Sequence, residues 1–451
     1  MRIQQISVSG LLGIFDHVIP LNMDDRVTII HGPNGFGKTV ILRMIDGFFK
    51  SQYSVFRNIP FSKFRVEFDN SSSVEIAKNS NNTENQQNIT IYFSEKDSQT
   101  VSFSPKSRKF PSNIDFQVEI LEDIIPMLLR VSPTKWTYIT GENLFLEDVI
   151  DRFGDFLAPK ITLQKEPEWL NNLKSNIHIR LIESQRLLNL VPSRSLRSDN
   201  AIPSSLPTVS AYSNELTEII QEKFTEYGTI SQSLDRSFPV RVVKQQEKLG
   251  TDWTDQQLRY QLNELEKTRD RLIEVGLLNK NENQDFQLPS ETLDESTRNV
   301  LSVYVEDVEN KLNVFSEIAS KIELFRRIIN KKYAYSYKEM NFSKEKGFVL
   351  TSCDRPDSPS DPKELSPTDL SSGEQHELVL FYELLFKVKP DSLVLIDEPE
   401  LSIHVGWQVE FLRDLQEITK LADLDILMAT HSPDIIQDRW DLTVELKGLK
   451  K

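Results

Sequence analysis

The residues best suited to chemistry in this sequence form a glycine-rich loop, Gly32-Pro33-Asn34-Gly35-Phe36-Gly37-Lys38-Thr39, which fits the pattern G-x-x-x-x-G-K-[ST]. Glycines at these spacings let the backbone wrap with its amide N–H groups inward, and a helix starting at the loop adds positive potential. Both suit a phosphate. Amides around Asn34, Gly35 and Gly37 would line the cradle. Lys38 would reach the β- and γ-phosphates of a nucleotide, and the Thr39 hydroxyl would coordinate Mg²⁺. The bland alternative is a turn that binds nothing. Residue frequencies alone would produce the bare pattern in such a chain about once or twice in a hundred, and a flanking strand and helix lower that further.

Further along, Leu393-Val394-Leu395-Ile396-Asp397-Glu398 is an apolar run ending in carboxylates. A strand buried in a parallel sheet delivers its C-terminal residues to the ligand crevice. Asp397 is therefore expected to hold Mg²⁺, through water, and Glu398 to orient or deprotonate an attacking water. Thr430-His431-Ser432 closes a later strand, where His431 can reach a γ-phosphate. Leu370-Ser371-Ser372-Gly373-Glu374-Gln375 precedes an apolar helix. Small residues, a glycine and free amides at a helix start suit an anion, and an ordinary capped helix reads the same way. The expected ligands are ATP and Mg²⁺, with Lys38, Glu398 and His431 as the catalytic set.

These residues need a scaffold, and the hydrophobic patterning supplies one. Ile6 and Val8 alternate with polar residues, and Val27 to Ile30 is a short apolar run suited to a strand buried on both faces. Val40, Ile41, Met44, Ile45 and Phe48 then follow helical spacing. Phe64–Phe68 and Ile89–Phe93 read as strands of an antiparallel flap, with a polar loop at 79–83 between them. A Pro/Ser-rich stretch, 191–209, reads as a linker, and 352–368 as a second loop. From 211 to 333 the pattern is helical. Leu301, Val305, Val308, Leu312, Phe315, Ala319, Ile322 and Ile329 make a heptad seam, which suits a self-packed bundle better than a long protruding coiled coil. Leu393–Ile396 and Ile426–Ala429 then read as buried strands around a helix at Val405–Leu421. The expected fold class is α/β: a mixed-sheet head with an antiparallel flap, interrupted by a helical, partly coiled-coil insertion. The expected domains are 1–190, 211–335 and 336–451.

Composition narrows the function classes. With 68 acidic against 53 basic residues the net charge is −15, which disfavours a broad nonspecific nucleic-acid surface but leaves room for a local basic groove. The single cysteine, Cys353, suits neither an internal disulfide nor a zinc site. The N-terminus lacks the marks of a signal peptide, and no apolar run is long enough to cross a bilayer. A cytoplasmic protein without a membrane partner is expected.

The order of these motifs resembles that of the ABC superfamily. Leu370–Gln375 is similar to the ABC signature, and the phosphate loop, signature, Asp-Glu strand and Thr-His-Ser follow in the superfamily's order. That resemblance implies a P-loop ATPase head whose Ser371 and Gly373 contact the γ-phosphate held by a second copy, with His431 as a switch histidine. It also implies that Glu400–His404 is a D-loop crossing to the partner head, and that Gln185 is a Q-loop glutamine sensing Mg²⁺ and the γ-phosphate. More than three hundred residues separate Lys38 from Ser371, a split-head layout unlike transporter subunits and like repair, chromosome-organising and anti-phage ATPases. Asp397–His404 and Ala429–Pro433 look like the anti-phage group, resembling the ATPases of PARIS and Septu and the head of the overcoming-lysogenisation-defect proteins. With only about twenty residues after His431, no nuclease domain of that last kind is expected. The resemblance implies a head-to-head dimer that regulates a separately encoded effector, a toxin or nuclease, with a phage protein or nucleic acid as further partners. The alternative it leaves open is a DNA-repair or chromosome-associated ATPase.

Overall fold

The computed structural model describes residues 1–78, 89–95, 99–105, 128–132, 135–138, 143–153, 165–184, 207–247, 253–279, 293–352 and 363–448. The expected loop at 79–83, most of the Pro/Ser-rich stretch, Gln185 and Cys353 lie outside them. The chain divides into two compact units, 1–208 with 379–451, and 209–378.

The first unit carries a parallel sheet of five strands, ordered β11 (Ile179–Ile182), β15 (Leu393–Asp397), β16 (Asp425–Ala429), β3 (Val27–His31) and β17 (Thr443–Glu445). Strands from both ends of the chain are neighbours here: β16 pairs in parallel with β3, Ile426 opposite Val27 and Ala429 opposite Ile30. All of β15 is buried, which explains its unbroken apolar run. Helix α1 (Lys38–Phe49) follows the glycine-rich loop.

A separate six-stranded sheet provides the flap, in the order β2 (Phe15–Pro20), β1 (Ile3–Leu11), β4 (Lys63–Phe68), β5 (Ser73–Lys78), β6 (Ile89–Ser94) and β7 (Val101–Phe103). Strand β2 alternates buried and exposed residues, with Phe15, His17 and Ile19 inside. Ile6, Val8, Phe64 and Val66 from this sheet share one core with Ile41, Leu42, Ile45 and Phe48 of α1. That core seats the start of α1 against the flap. A small sheet of β8 (Leu128–Ser132), β9 (Lys135–Tyr138) and β10 (Asn143–Phe145) is followed by α2 (Leu146–Phe153), and α3 (Glu168–Ser175) precedes β11.

The second unit holds the helical insertion: α4 (Thr208–Glu247), α5 (Asp255–Glu274), α6 (Glu295–Asn313) and α7 (Ser316–Tyr333). Asp235 meets Lys311 and Arg241 meets Asp307, while Phe224 and Tyr227 pack their rings against Phe315, so α4 and α6 run antiparallel. The heptad seam is buried from Val305 to Ile329, but it is not one helix. It breaks between Asn313 and Ser316, where Phe315 turns inward against the α4 aromatics. The insertion is a bundle packed on itself. A three-stranded sheet follows, β12 (Lys338–Ser343), β13 (Gly347–Ser352) and β14 (Lys363–Leu365). Helix α8 (Ser372–Tyr382) begins in this unit, and its residues from Val379 onward belong to the first. Helix α9 (Val405–Ala422) connects β15 to β16. No helix among the described residues is long and apolar enough to cross a membrane.

Candidate nucleotide site

The loop between β3 and α1 adopts conformations that require glycine. Gly32, Gly35 and Gly37 have φ of 150°, 84° and 90°. A Cβ on Gly37 would stand 2.5 Å from Leu11 Cδ2, so a side chain would collide with the flap core as well as strain the backbone. Gly37 is also the N-cap of α1. No side chain caps the helix and no acidic residue lies in its first turn, so its positive end is left for an outside anion.

The flap fixes the loop from the side. Phe15 of β2 packs on Phe36 with ring centroids 4.9 Å apart, and His17 Nε2 lies 3.0 Å from the Phe36 carbonyl oxygen. A carbonyl only accepts, so the Nε2 nitrogen carries the proton and donates. Burial holds the His17 pKa below its ordinary value, outweighing the Phe36 bond and the nearby Asp16, which favours this neutral form.

Lys38 lies almost wholly inside, 5% exposed. Its ammonium donates to the carbonyls of Gly32 (2.8 Å) and Pro33 (3.2 Å), which aims it back across the loop mouth. It also stands 3.5 Å from His431 Nδ1. Burial lowers its pKa, while the carboxylates of Glu398, Asp397 and Glu400 pull the other way. Thr39 Oγ1 donates to Asp397 Oδ1 at 3.0 Å, joining the head of α1 to the end of β15. Burial pushes the Asp397 carboxyl up to about 6, with Glu398 and Glu183 adding to the shift and Thr39 and Arg43 opposing it. A hydroxyl and a desolvated carboxylate side by side are hard oxygen donors, the set that Mg²⁺ selects, and a bound divalent cation would offset that burial.

Glu398 follows β15 in a left-handed conformation, φ 44° and ψ 60°, costly for a residue with a Cβ. Its backbone N–H donates to Ala429 O at 2.9 Å, so the end of β16 fixes the turn. The Glu398 carboxylate lies 3.7 Å from His431 Nε2, near enough for electrostatic contact but too long for a direct hydrogen bond. Strand, loop and helix thus bring Lys38, Thr39, Asp397, Glu398 and His431 together, with Asn34, Gly35 and Gly37 in the loop above them.

Ser371 and Gly373 belong to the 209–378 unit. Ser371 heads α8 in a reciprocal cap: its N–H and hydroxyl reach Glu374 Oε2 at 2.7 and 2.9 Å, and the Glu374 N–H returns to Ser371 Oγ at 3.4 Å. Ser336 and Lys338 also bond the Glu374 carboxylate, each at 2.7 Å. Burial alone would raise the Glu374 pKa; the bonds from Lys338, Ser336 and Ser371 outweigh it and hold the carboxyl below its usual range. Gln185 is outside the described residues. Glu183, just before it, is held by Arg152 at 2.7 Å.

Two contributors escaped the pattern reading. His17 carried only the weak signal of a histidine alternating among apolar strand residues. The resemblance puts Glu400 in a D-loop crossing to the partner head, while its Oε1 accepts the His431 N–H at 2.6 Å within its own chain. No sequence periodicity encodes either contact.

A family model described as AAA ATPase domain matches residues 1–436. The chain belongs to the AAA ATPase domain family. No curated protein matches it. Among solved structures this AAA ATPase domain is similar to the SMC head domain from Thermotoga maritima, at 12% identity and TM-score 0.31 over 97% of this chain and 92% of that one. It is also similar to the Smc head domain with an extended coiled coil bound to the C-terminal domain of ScpA from Pyrococcus furiosus, at 13% identity and TM-score 0.33 over 99% and 94%. These likenesses are too distant to bear on mechanism or partners. The family makes the chain an ATPase domain, and the Gly32–Thr39 loop is where the described residues offer a nucleotide its chemistry.

Proposed function

We propose that this ATPase domain binds ATP with Mg²⁺ at the Gly32–Thr39 loop and hydrolyses it in a site completed by a second copy. The observation that carries the reading is the Thr39–Asp397 bond of 3.0 Å beside an inward-aimed Lys38, because it joins the phosphate loop to the carboxylate strand at a single point. Loop amides and Lys38 would bind the phosphates, and Thr39 and Asp397 would hold the metal ion, whose role is to offset charge on the phosphate oxygens. Glu398 would accept a proton from the attacking water, and His431 would orient toward the transferred phosphoryl group. Gln185 would join them from the Q-loop.

Ser371 and Gly373 are assigned to the partner's nucleotide. The motif order supports this. ATP would then act as a clamp between heads, and nucleotide state would govern capture or release of a separate effector in anti-phage defence. That finer reading is supported by the tail motifs Asp397–His404 and Ala429–Pro433. It is tested by purifying the protein with the product of its neighbouring gene, in ATP and in ADP. Nucleotide-dependent association and phage protection by the pair would support it. Absence of both, with tight salt-sensitive duplex binding by the lone protein, would favour the chromosome-associated alternative instead.

A further inference from the structure

We infer that Glu400 is a positioning residue for His431, acting inside its own subunit through a main-chain hydrogen bond. The inference rests on the hydrolysis reading above and adds a member to that site. Glu400 lies in the short 3-10 turn Pro399–Ser402, directly after the strained Glu398. Its Oε1 accepts the backbone N–H of His431 at 2.6 Å, across 31 residues of sequence. Its Oε2 is buried and has no hydrogen-bond partner among the described residues. A carboxylate oxygen kept from water without a partner is costly. The arrangement persists because the other oxygen holds the loop after β16.

The geometry explains why that N–H matters. His431 stands with Nδ1 3.5 Å from the Lys38 ammonium and Nε2 3.7 Å from the Glu398 carboxylate. Lysine only donates, so Nδ1 is the acceptor and the ring proton sits on Nε2, facing Glu398. The imidazole therefore spans the phosphate-binding cation and the carboxylate assigned to the water. Its location is set by the main chain at Thr430–Ser432. Thr430 N–H donates to Ile30 O at 3.2 Å, and the Ser432 hydroxyl bonds Gln408 at 2.6 Å. Glu400 supplies the contact at His431 itself. It also couples to Lys38, whose charge its carboxylate favours.

The same side chain carries a negative charge, and the two roles separate by substitution. Glu400→Gln keeps an acceptor oxygen and removes the charge; Glu400→Ala removes both. Positioning predicts that Glu400→Ala lowers kcat by about 10- to 100-fold, as expected for a displaced reactive group, with ATP affinity little changed. Glu400→Gln should recover turnover to within about threefold of the parent, since a neutral acceptor suffices for one N–H. In the double variant Glu400→Ala with His431→Ala, the losses should not add, because both remove the same function. Thermal melts and nucleotide binding show whether each variant folds. A Gln variant as impaired as the Ala variant, or fully additive losses, overturns the inference.

A readout independent of turnover separates this idea from the hydrolysis reading. In protein labelled with ¹³C-histidine, the His431 ring resonance should shift in Glu400→Ala and keep its parent position in Glu400→Gln. An unmoved resonance in the Ala variant sinks the positioning claim even if turnover falls. If the resonance moves but His431→Ala turns over ATP like the parent, the contact stands and the catalytic reading of His431 fails.

Discussion

Two helix starts in this protein look alike in sequence and are built to opposite ends. Both α1 and α8 start among small residues and a glycine, Gly37 before the first helix and Gly373 in the first turn of the second, and either could receive an anion. At α1, Gly37 is the cap, no side chain satisfies the first amides, and no acid lies in the first turn. At α8, Ser371 and Glu374 cap each other, and the carboxylate is further held by Lys338 and Ser336. The first helix start is incomplete without a ligand. The second is already satisfied, so a phosphate meeting Gly373 must arrive beside an ionised carboxylate. That difference suits a site where one subunit binds tightly and the other only completes the enclosure.

The sharpest way to break the comparison is at the open end. Lys38→Ala deletes the cation that faces the phosphates and should weaken ATP binding by about 100-fold or more, measured by calorimetry. Parent-like affinity would show that the α1 end does not hold the nucleotide. Next, Glu398→Gln should cut steady-state phosphate release by about 100-fold or more while ATP binding stays near the parent, since it removes a base and not a phosphate contact. Equal loss of binding would move Glu398 from the water to the nucleotide.

At the capped end the effects are smaller and of another kind. Ser371→Ala should cost about 1 kcal/mol of stability as a lost helix cap, and should lower turnover by about tenfold without changing nucleotide affinity of the monomer. Denaturant melts and phosphate release measure the two parts. A stability loss with full turnover would leave α8 an ordinary capped helix.

The mildest test uses pH. Asp397 has its carboxyl pushed up to about 6, so in the folded protein the proton is held more tightly than in the unfolded chain. Stability from this group is therefore full below its ordinary value and is lost as pH rises toward 6. Metal binding has the opposite preference, needing the anion. The Mg²⁺ dependence of ATP binding should weaken as pH falls below about 6. Asp397→Asn should abolish that dependence, and a pH-independent Mg²⁺ response in the parent would contradict it.

Much of this site was legible because its parts are periodic or local. The phosphate loop, the strand Leu393–Asp397 and helix Val405–Ala422 follow from pattern, since glycine spacing and unbroken apolar runs have few other solutions. The helical insertion was legible as a bundle, but not its break at Phe315, which depends on aromatic partners about ninety residues earlier in α4. The brace from His17 to Phe36 and the hold of Glu400 on His431 were invisible for the same reason. Each is a single hydrogen bond between segments whose spacing carries no signal. In the sequence Glu374 is one letter of a motif, while its burial among Lys338, Ser336 and Ser371 is set by the fold.

The central claim is that one copy's α1 end and another copy's α8 end make one active site, and mixing two impaired variants tests it directly. Lys38→Ala lacks a working phosphate loop but keeps its signature; Ser371→Ala is the reverse. In an equal mixture, half the dimers should be mixed, each with one intact composite site, so turnover should return to about a quarter of the parent rate. Each variant alone should stay near its own low rate. No recovery on mixing, under conditions where mixed dimers are shown to form, would contradict the account and place hydrolysis within a single chain.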